Sequence, residues 1–226
     1  MASYNFYDNE ERPLRDRFLS VLDDTRQDES STRSLARWQE AFGPNESVPS
    51  EEALANLLTD LKAIPTLLSK ATCPKHRLFV SHRQIDKGYG LRIAKLANDN
   101  GFEFWLDVLD PALKALPTFS HLSAKRLALL TACIIEMGLI NSTHVLAVMT
   151  RKTKGGEWVP YEYGRVRQVN NTSCWKHPNH IFTLPDYIEL GAITNSEATI
   201  NSWLSGFSPS PSILWKPAWM ITKQLP

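Results

Sequence analysis

Cysteine is scarce in this chain of 226 residues. Cys73, Cys133 and Cys174 are odd in number, widely separated and free of C-x-x-C spacing. That pattern excludes a disulfide framework or a thiolate zinc site as the organising element and fits a reducing, cytoplasmic compartment. Long apolar runs are missing as well. The longest uncharged one, Leu127 to Ile135, falls far short of the roughly 20 residues a membrane-spanning helix needs. Met1 to Arg17 is polar and lacks the apolar centre of a secretion signal, so no membrane partner is expected. Nor is there a strong excess of either charge, since the formal net charge is +1. Residues 1–75 carry 9 Lys and Arg against 13 Asp and Glu, and the remainder 16 against 11. A reader of nucleic acid would carry a far more basic stripe, whereas a mild positive excess suits a small phosphorylated ligand. No internal repeat is present.

What is present is ordinary globular composition, 42% hydrophobic and 22% charged, enough for one domain and a small appendage. Residues 1–75 read as a helical module. Leu14, Phe18, Leu19 and Leu22 share one helical face, Leu35, Trp38 and Phe42 another, and Ser50 stands as N-cap before acidic Glu51 and Glu52. The helix after Ser50 has the cleanest stripe, Ala53, Leu54, Leu57, Leu58, Leu61 and Ile64, and stops at Pro65. That face must pack on something.

Residues 76–226 change rhythm, with short runs rich in Val, Phe and Trp alternating with helical stretches. This is the pattern of a parallel sheet covered by helices. Strands are expected at Leu78–Ser81, Phe102–Leu106, His144–Met149 and Ile181–Leu184. Helices are expected around Tyr89–Ala97, closed by Asn100 and Gly101 as a left-handed cap, from Ser123 to about Ile140, from Trp158 to about Val169, and at Ala198–Leu204. The fold class is α/β, a flavodoxin-like parallel sheet of four or five strands with an N-terminal helical module and a C-terminal extension. The tryptophans of that extension, Trp215 and Trp219, read as cover for an apolar face.

In open α/β sheets ligands bind beyond the carboxyl ends of the strands. The first strand delivers Ser81, His82 and Arg83, the second Trp105 and Asp107, and the third Thr150 followed by Trp158 and Glu162. A guanidinium for phosphate, aromatic planes for bases and a carboxylate for ribose or a developing cation together suit a nucleotide. Trp158 and Glu162 are four positions apart, on one face of a helix start with Tyr161 beside them. The stretch Cys174-x-x-His177-x-x-His180 offers three ligand types in what reads as a loop, too little for zinc. Glu136 reads as a charge at a helix edge or a buried group with a partner, and His82 as a residue that orients a loop or hydroxyl.

Four segments resemble a Toll/interleukin-1 receptor (TIR) domain over residues 77 to about 170. Arg77-Leu-Phe-Val-Ser-His-Arg83 resembles its first strand and loop, and Gly101-Phe-Glu-Phe-Trp-Leu-Asp107 its second strand. Asp107 to about Ser120 resembles the BB loop, and Trp158-Val-Pro-Tyr-Glu162 the W-x-x-x-E motif. The resemblance implies an NAD-cleaving enzyme of the prokaryotic type, a glycohydrolase or ADP-ribosyl cyclase in antiviral defence or signalling. It makes Glu162 the catalytic carboxylate and puts Trp158 and Tyr161 on the nicotinamide side; Ser81, His82, Arg83, Trp105 and Asp107, as residues at strand ends, are expected at the substrate with them. NAD or a related dinucleotide is then substrate rather than cofactor. Self-association through TIR surfaces and an activating protein partner are implied as well. A non-enzymatic TIR interaction module is the alternative, and Glu162 is the feature that speaks against it.

Overall fold

A computed structural model describes residues 50–63, 76–110, 113, 116–118, 122–153, 156, 158–166 and 171–207. The first two expected helices, the Cys73 segment and the Trp215 to Trp219 tail lie outside the described residues. Five parallel strands, β1 (Arg77–Ser81), β2 (Glu103–Trp105), β3 (His144–Met149), β4 (Thr172–Lys176) and β5 (Ala192–Thr194), form one sheet in the order β2-β1-β3-β4-β5. That order is the flavodoxin-like one. Every residue of β1 and β3 is buried, as expected of parallel strands covered on both faces.

Helices α1 (Glu51–Ala63), α2 (Lys87–Asp99), α3 (Ala124–Ile140), α4 (Trp158–Val166) and α5 (Glu197–Ser205) accompany the strands. Among the described residues none is long and apolar enough to cross a membrane. Local signals explain their ends. Asn100 closes α2 and donates its side-chain amide to the Leu96 carbonyl at 2.8 Å, and Gly101 follows with φ of 83°, a conformation that favours glycine. Ser123 accepts from the Arg126 N–H at 3.2 Å ahead of α3. Ser196 and Thr199 form a reciprocal capping box at the start of α5.

The described residues fall into two compact units. The first holds residues 76–106 and the described part of 139–207, and so the whole sheet. There α2 packs on β1 and β2 and touches α5, to which Arg92 is bound by two bonds to Glu197 of 2.7 and 2.6 Å. Helix α4 packs on β3 and β1. Because α2 crosses from β1 to β2 in one direction along the sheet and α4 from β3 to β4 in the other, right-handed crossovers put α2 and α4 on opposite faces. The second unit holds residues 50–63 and the described part of 107–138. In it the Cys133 thiol of α3 donates to the Leu54 carbonyl of α1 at 3.8 Å, and Glu51 pairs with Lys125 at 2.8 Å. Leu54 and Leu61, the centre of the expected stripe, are buried.

One expected strand is absent. Residues 181–184 are irregular and Ile181 is 98% exposed. The fourth place in the sheet belongs to Thr172–Lys176, followed by β5 as a fifth strand. Pro178 and Pro185 bracket the Ile181 stretch and disfavour a ladder, whereas the Thr, Cys and Trp of β4 suit a buried one. The segment holding Cys174 is therefore a strand rather than a loop.

Candidate active site

The strand order reverses between β1 and β3, and α/β sheets take ligands beyond the carboxyl ends of the strands at such a point. Ser81 ends β1, and its side chain leaves on the same face as Phe79 because alternate residues share a face. On that face it meets α4. The Ser81 hydroxyl donates to Glu162 Oε2 at 2.5 Å, and both residues are covered, at 1% and 6% exposure. The bond is short and lies in a covered place. It joins two residues that are 81 positions apart in the chain.

Helix α4 starts at Trp158, so Trp158 and Glu162 lie one turn apart on one face. Pro160 falls in the first turn, where its missing N–H costs nothing. The Trp158 ring is 44% exposed and stands edge-on to Tyr161 at 6.2 Å between centroids. Next to the carboxylate, Tyr163 anchors the helix by donating to the Ile188 carbonyl at 3.3 Å.

The other expected residues are distributed around this pair. Arg83 reaches from the end of β1 to the turn after β3 and donates to the Lys152 carbonyl. His82 turns the other way, its ring against Gly90 of α2, where an added β-carbon would lie 3.2 Å from His82 Cδ2. Trp105 is 1% exposed and stacks on Phe79 at 4.6 Å between centroids, so its ring faces are committed to the sheet. Asp107 belongs to the second unit, where it begins a 3-10 turn (Asp107–Leu109) and accepts from the Val108 N–H at 2.5 Å. The structure thus brings Ser81, Glu162, Trp158 and Tyr161 together, places Arg83 at the rim, and sends His82 and Trp105 into packing.

Three hydrogen bonds at this end of the sheet are not read from the sequence. Buried Asp86, in the 3-10 turn after β1 (Gln84–Asp86), accepts from the Thr150 hydroxyl at 3.0 Å. Thr153 accepts from the Thr150 N–H at 2.9 Å and donates to the Val148 carbonyl at 3.1 Å. Together with Arg83 they tie the loop after β1 to the turn after β3. Beyond β4, His177 and His180 stack at 3.7 Å, His180 Nδ1 accepts from the Arg151 N–H at 3.2 Å, and His177 Nε2 meets the Tyr89 hydroxyl at 3.0 Å. Burial pushes the Cys174 thiol up to about 12. That keeps it protonated and a poor metal ligand, and among the described residues no group of three His, Cys, Asp or Glu could hold a metal ion.

Comparison with protein-family models, with curated proteins and with solved structures finds no match for this chain. The class that the structure itself defines is a flavodoxin-like α/β protein with a buried carboxylate at the switch point of its sheet.

Proposed function

We propose that this chain is a TIR-like enzyme that cleaves the bond between nicotinamide and ribose in NAD, with Glu162 as the catalytic residue. The observation that carries the reading is the position of Glu162. It is a covered carboxylate one helical turn after a half-exposed indole, bound to the end of β1 beside the point where the strand order reverses, the place where α/β sheets take nucleotides. Departure of nicotinamide builds positive charge on ribose C1′, and a fixed carboxylate near that carbon lowers the barrier. The C–N electron pair leaves with the base and neutralises its pyridinium charge, so no general acid is required. Water adding to C1′ and losing a proton gives ADP-ribose. A nucleophile of the same molecule, folded back by stacking, gives a cyclic isomer. Trp158 and Tyr161 supply aromatic surface for the nicotinamide side, and Arg83 a guanidinium near the phosphates.

The experiment is incubation of concentrated protein with NAD followed by mass analysis of the products, comparing wild type with Glu162→Gln. Release of nicotinamide by wild type and not by the variant is the expected result. Equal release by both removes Glu162 from its role. Absence of release by wild type leaves the fold to a binding function.

A further inference from the structure

We infer that Ser81 is a positioning residue for Glu162, and not a substrate contact as its place at a strand end had suggested; the inference rests on the glycosidic-cleavage reading above. Two observations point this way. Ser81 is 1% exposed, which leaves its hydroxyl no surface to offer a ligand. That hydroxyl has one proton, and it is given to Glu162 Oε2 at 2.5 Å.

The consequence is geometric. A glutamate carboxylate hangs on three rotatable bonds, and the start of a helix allows it several rotamers. Holding one oxygen narrows the rotamers open to the group and so its reach beyond the strand ends. The anchor is itself rigid, because Ser81 is paired in register with Ala147 of β3 in the middle of the sheet. A carboxylate that must stand against one ribose carbon gains from such an anchor, since a displacement of about 1 Å at a reacting group can cost about 100-fold in rate. Asp86 and Thr150 repeat the arrangement, a carboxylate on one loop accepting from a hydroxyl at a strand end, and they stiffen the neighbouring β1 and β3 loops.

The test compares Ser81→Thr, which keeps a hydroxyl, with Ser81→Val, which has the same shape and none, next to Ser81→Ala and Glu162→Gln. Steady-state NAD cleavage and thermal melting are measured on each. Positioning predicts that Ser81→Val and Ser81→Ala lose about 10-fold to 100-fold in kcat with KM within about twofold, while Ser81→Thr keeps most of the activity. A merely structural role would lower the melting temperature of all three and leave kcat of the folded fraction unchanged, which overturns the inference. A rise in KM at constant kcat would make Ser81 a substrate contact and also overturn it. Equal activity of the Thr and Val variants, with Glu162→Gln inactive, sinks the role of Ser81 alone. An active Glu162→Gln, or a wild type inert toward NAD, sinks the cleavage reading and this role with it.

Discussion

The hydroxyl of Tyr163 fills the space that a β-carbon on Gly191 would need. Such an atom would overlap Tyr163 Oη and would fall 2.6 Å from Thr172 Oγ1 and 2.8 Å from the Thr172 carbonyl. The turn before β5 thus closes on α4 at the residue next to Glu162, and only glycine lets it do so. Gly191→Ala should destabilise the protein by about 1–3 kcal/mol through overpacking. Adding Tyr163→Phe should recover part of that loss, because it removes the nearest of the three obstructing atoms and leaves the Thr172 hydroxyl and carbonyl, at the cost of the Tyr163 bond to the Ile188 carbonyl. Chemical denaturation of the single and double variants measures this, and an unchanged midpoint for Gly191→Ala would contradict the close approach.

The two tryptophans that the sequence puts at a strand end and a helix start should behave in opposite ways. Trp105 is covered and stacked on Phe79, so Trp105→Ala should cost about 3–5 kcal/mol of stability as a large core truncation. Trp158 is half-exposed at the start of α4, so Trp158→Ala should leave the melting temperature nearly unchanged. If its ring covers the nicotinamide side, the variant's KM for NAD should rise about threefold to tenfold, the worth of one aromatic contact. Melting curves paired with NAD titrations decide it. A Trp158 variant that melts early with an unchanged KM would place that ring in the fold instead.

What could be read from the sequence follows from how local each signal is. Strand β3 is legible end to end because His144 to Met149 is an apolar run between a helix and a polar turn. The Trp158 to Glu162 spacing is legible because Pro160 is tolerated only at a helix start. Strand β4 was hidden. Its Thr-Ser-Cys-Trp-Lys composition is mixed and it follows two asparagines, while the Ile181 to Leu184 stretch is more apolar, reads more like a strand, and lies between prolines. The pairing of Ser81 with Glu162 depends on which face of β1 meets α4, and the order of strands in space decides that. The opposite orientations of Ser81 and His82 follow from the period of two along a strand, whereas the burial of Trp105 on Phe79 follows from the register between β1 and β2.

Helix α1 offers a test within the second unit. Leu54 is fully buried and its carbonyl accepts from Cys133 of α3, while Leu57 on the same helix is half-buried. Leu54→Ala should therefore destabilise by about 2–5 kcal/mol, and Leu57→Ala by clearly less, because the cavity term applies only where neighbours cannot collapse. Denaturation midpoints of the two variants give the comparison. Equal and small effects would mean that the α1 stripe contributes little to the core.

Stability toward acid should depend on His144. Its ring is enclosed by His76, Phe102, Trp203 and Phe207, with Thr143 Oγ1 at 2.8 Å from Nδ1. Burial, with the His76 ring as a lesser cause, pushes its pKa down to about 3. In the unfolded chain an imidazole takes up its proton near pH 6.5. Between those limits the unfolded state binds more protons than the folded one, so the contribution of neutral His144 is fully present above about pH 6.5. It is lost progressively as the pH falls toward 3, at up to about 1.4 kcal/mol for each pH unit. His144→Phe keeps an aromatic ring in the cluster and removes the titrating group. Its stability should therefore fall less steeply than that of wild type between pH 6.5 and 4.5, whatever its value at pH 7.5. Urea unfolding of both proteins at several pH values in that range measures the two slopes, and parallel slopes would exclude His144 as the acid-sensitive group.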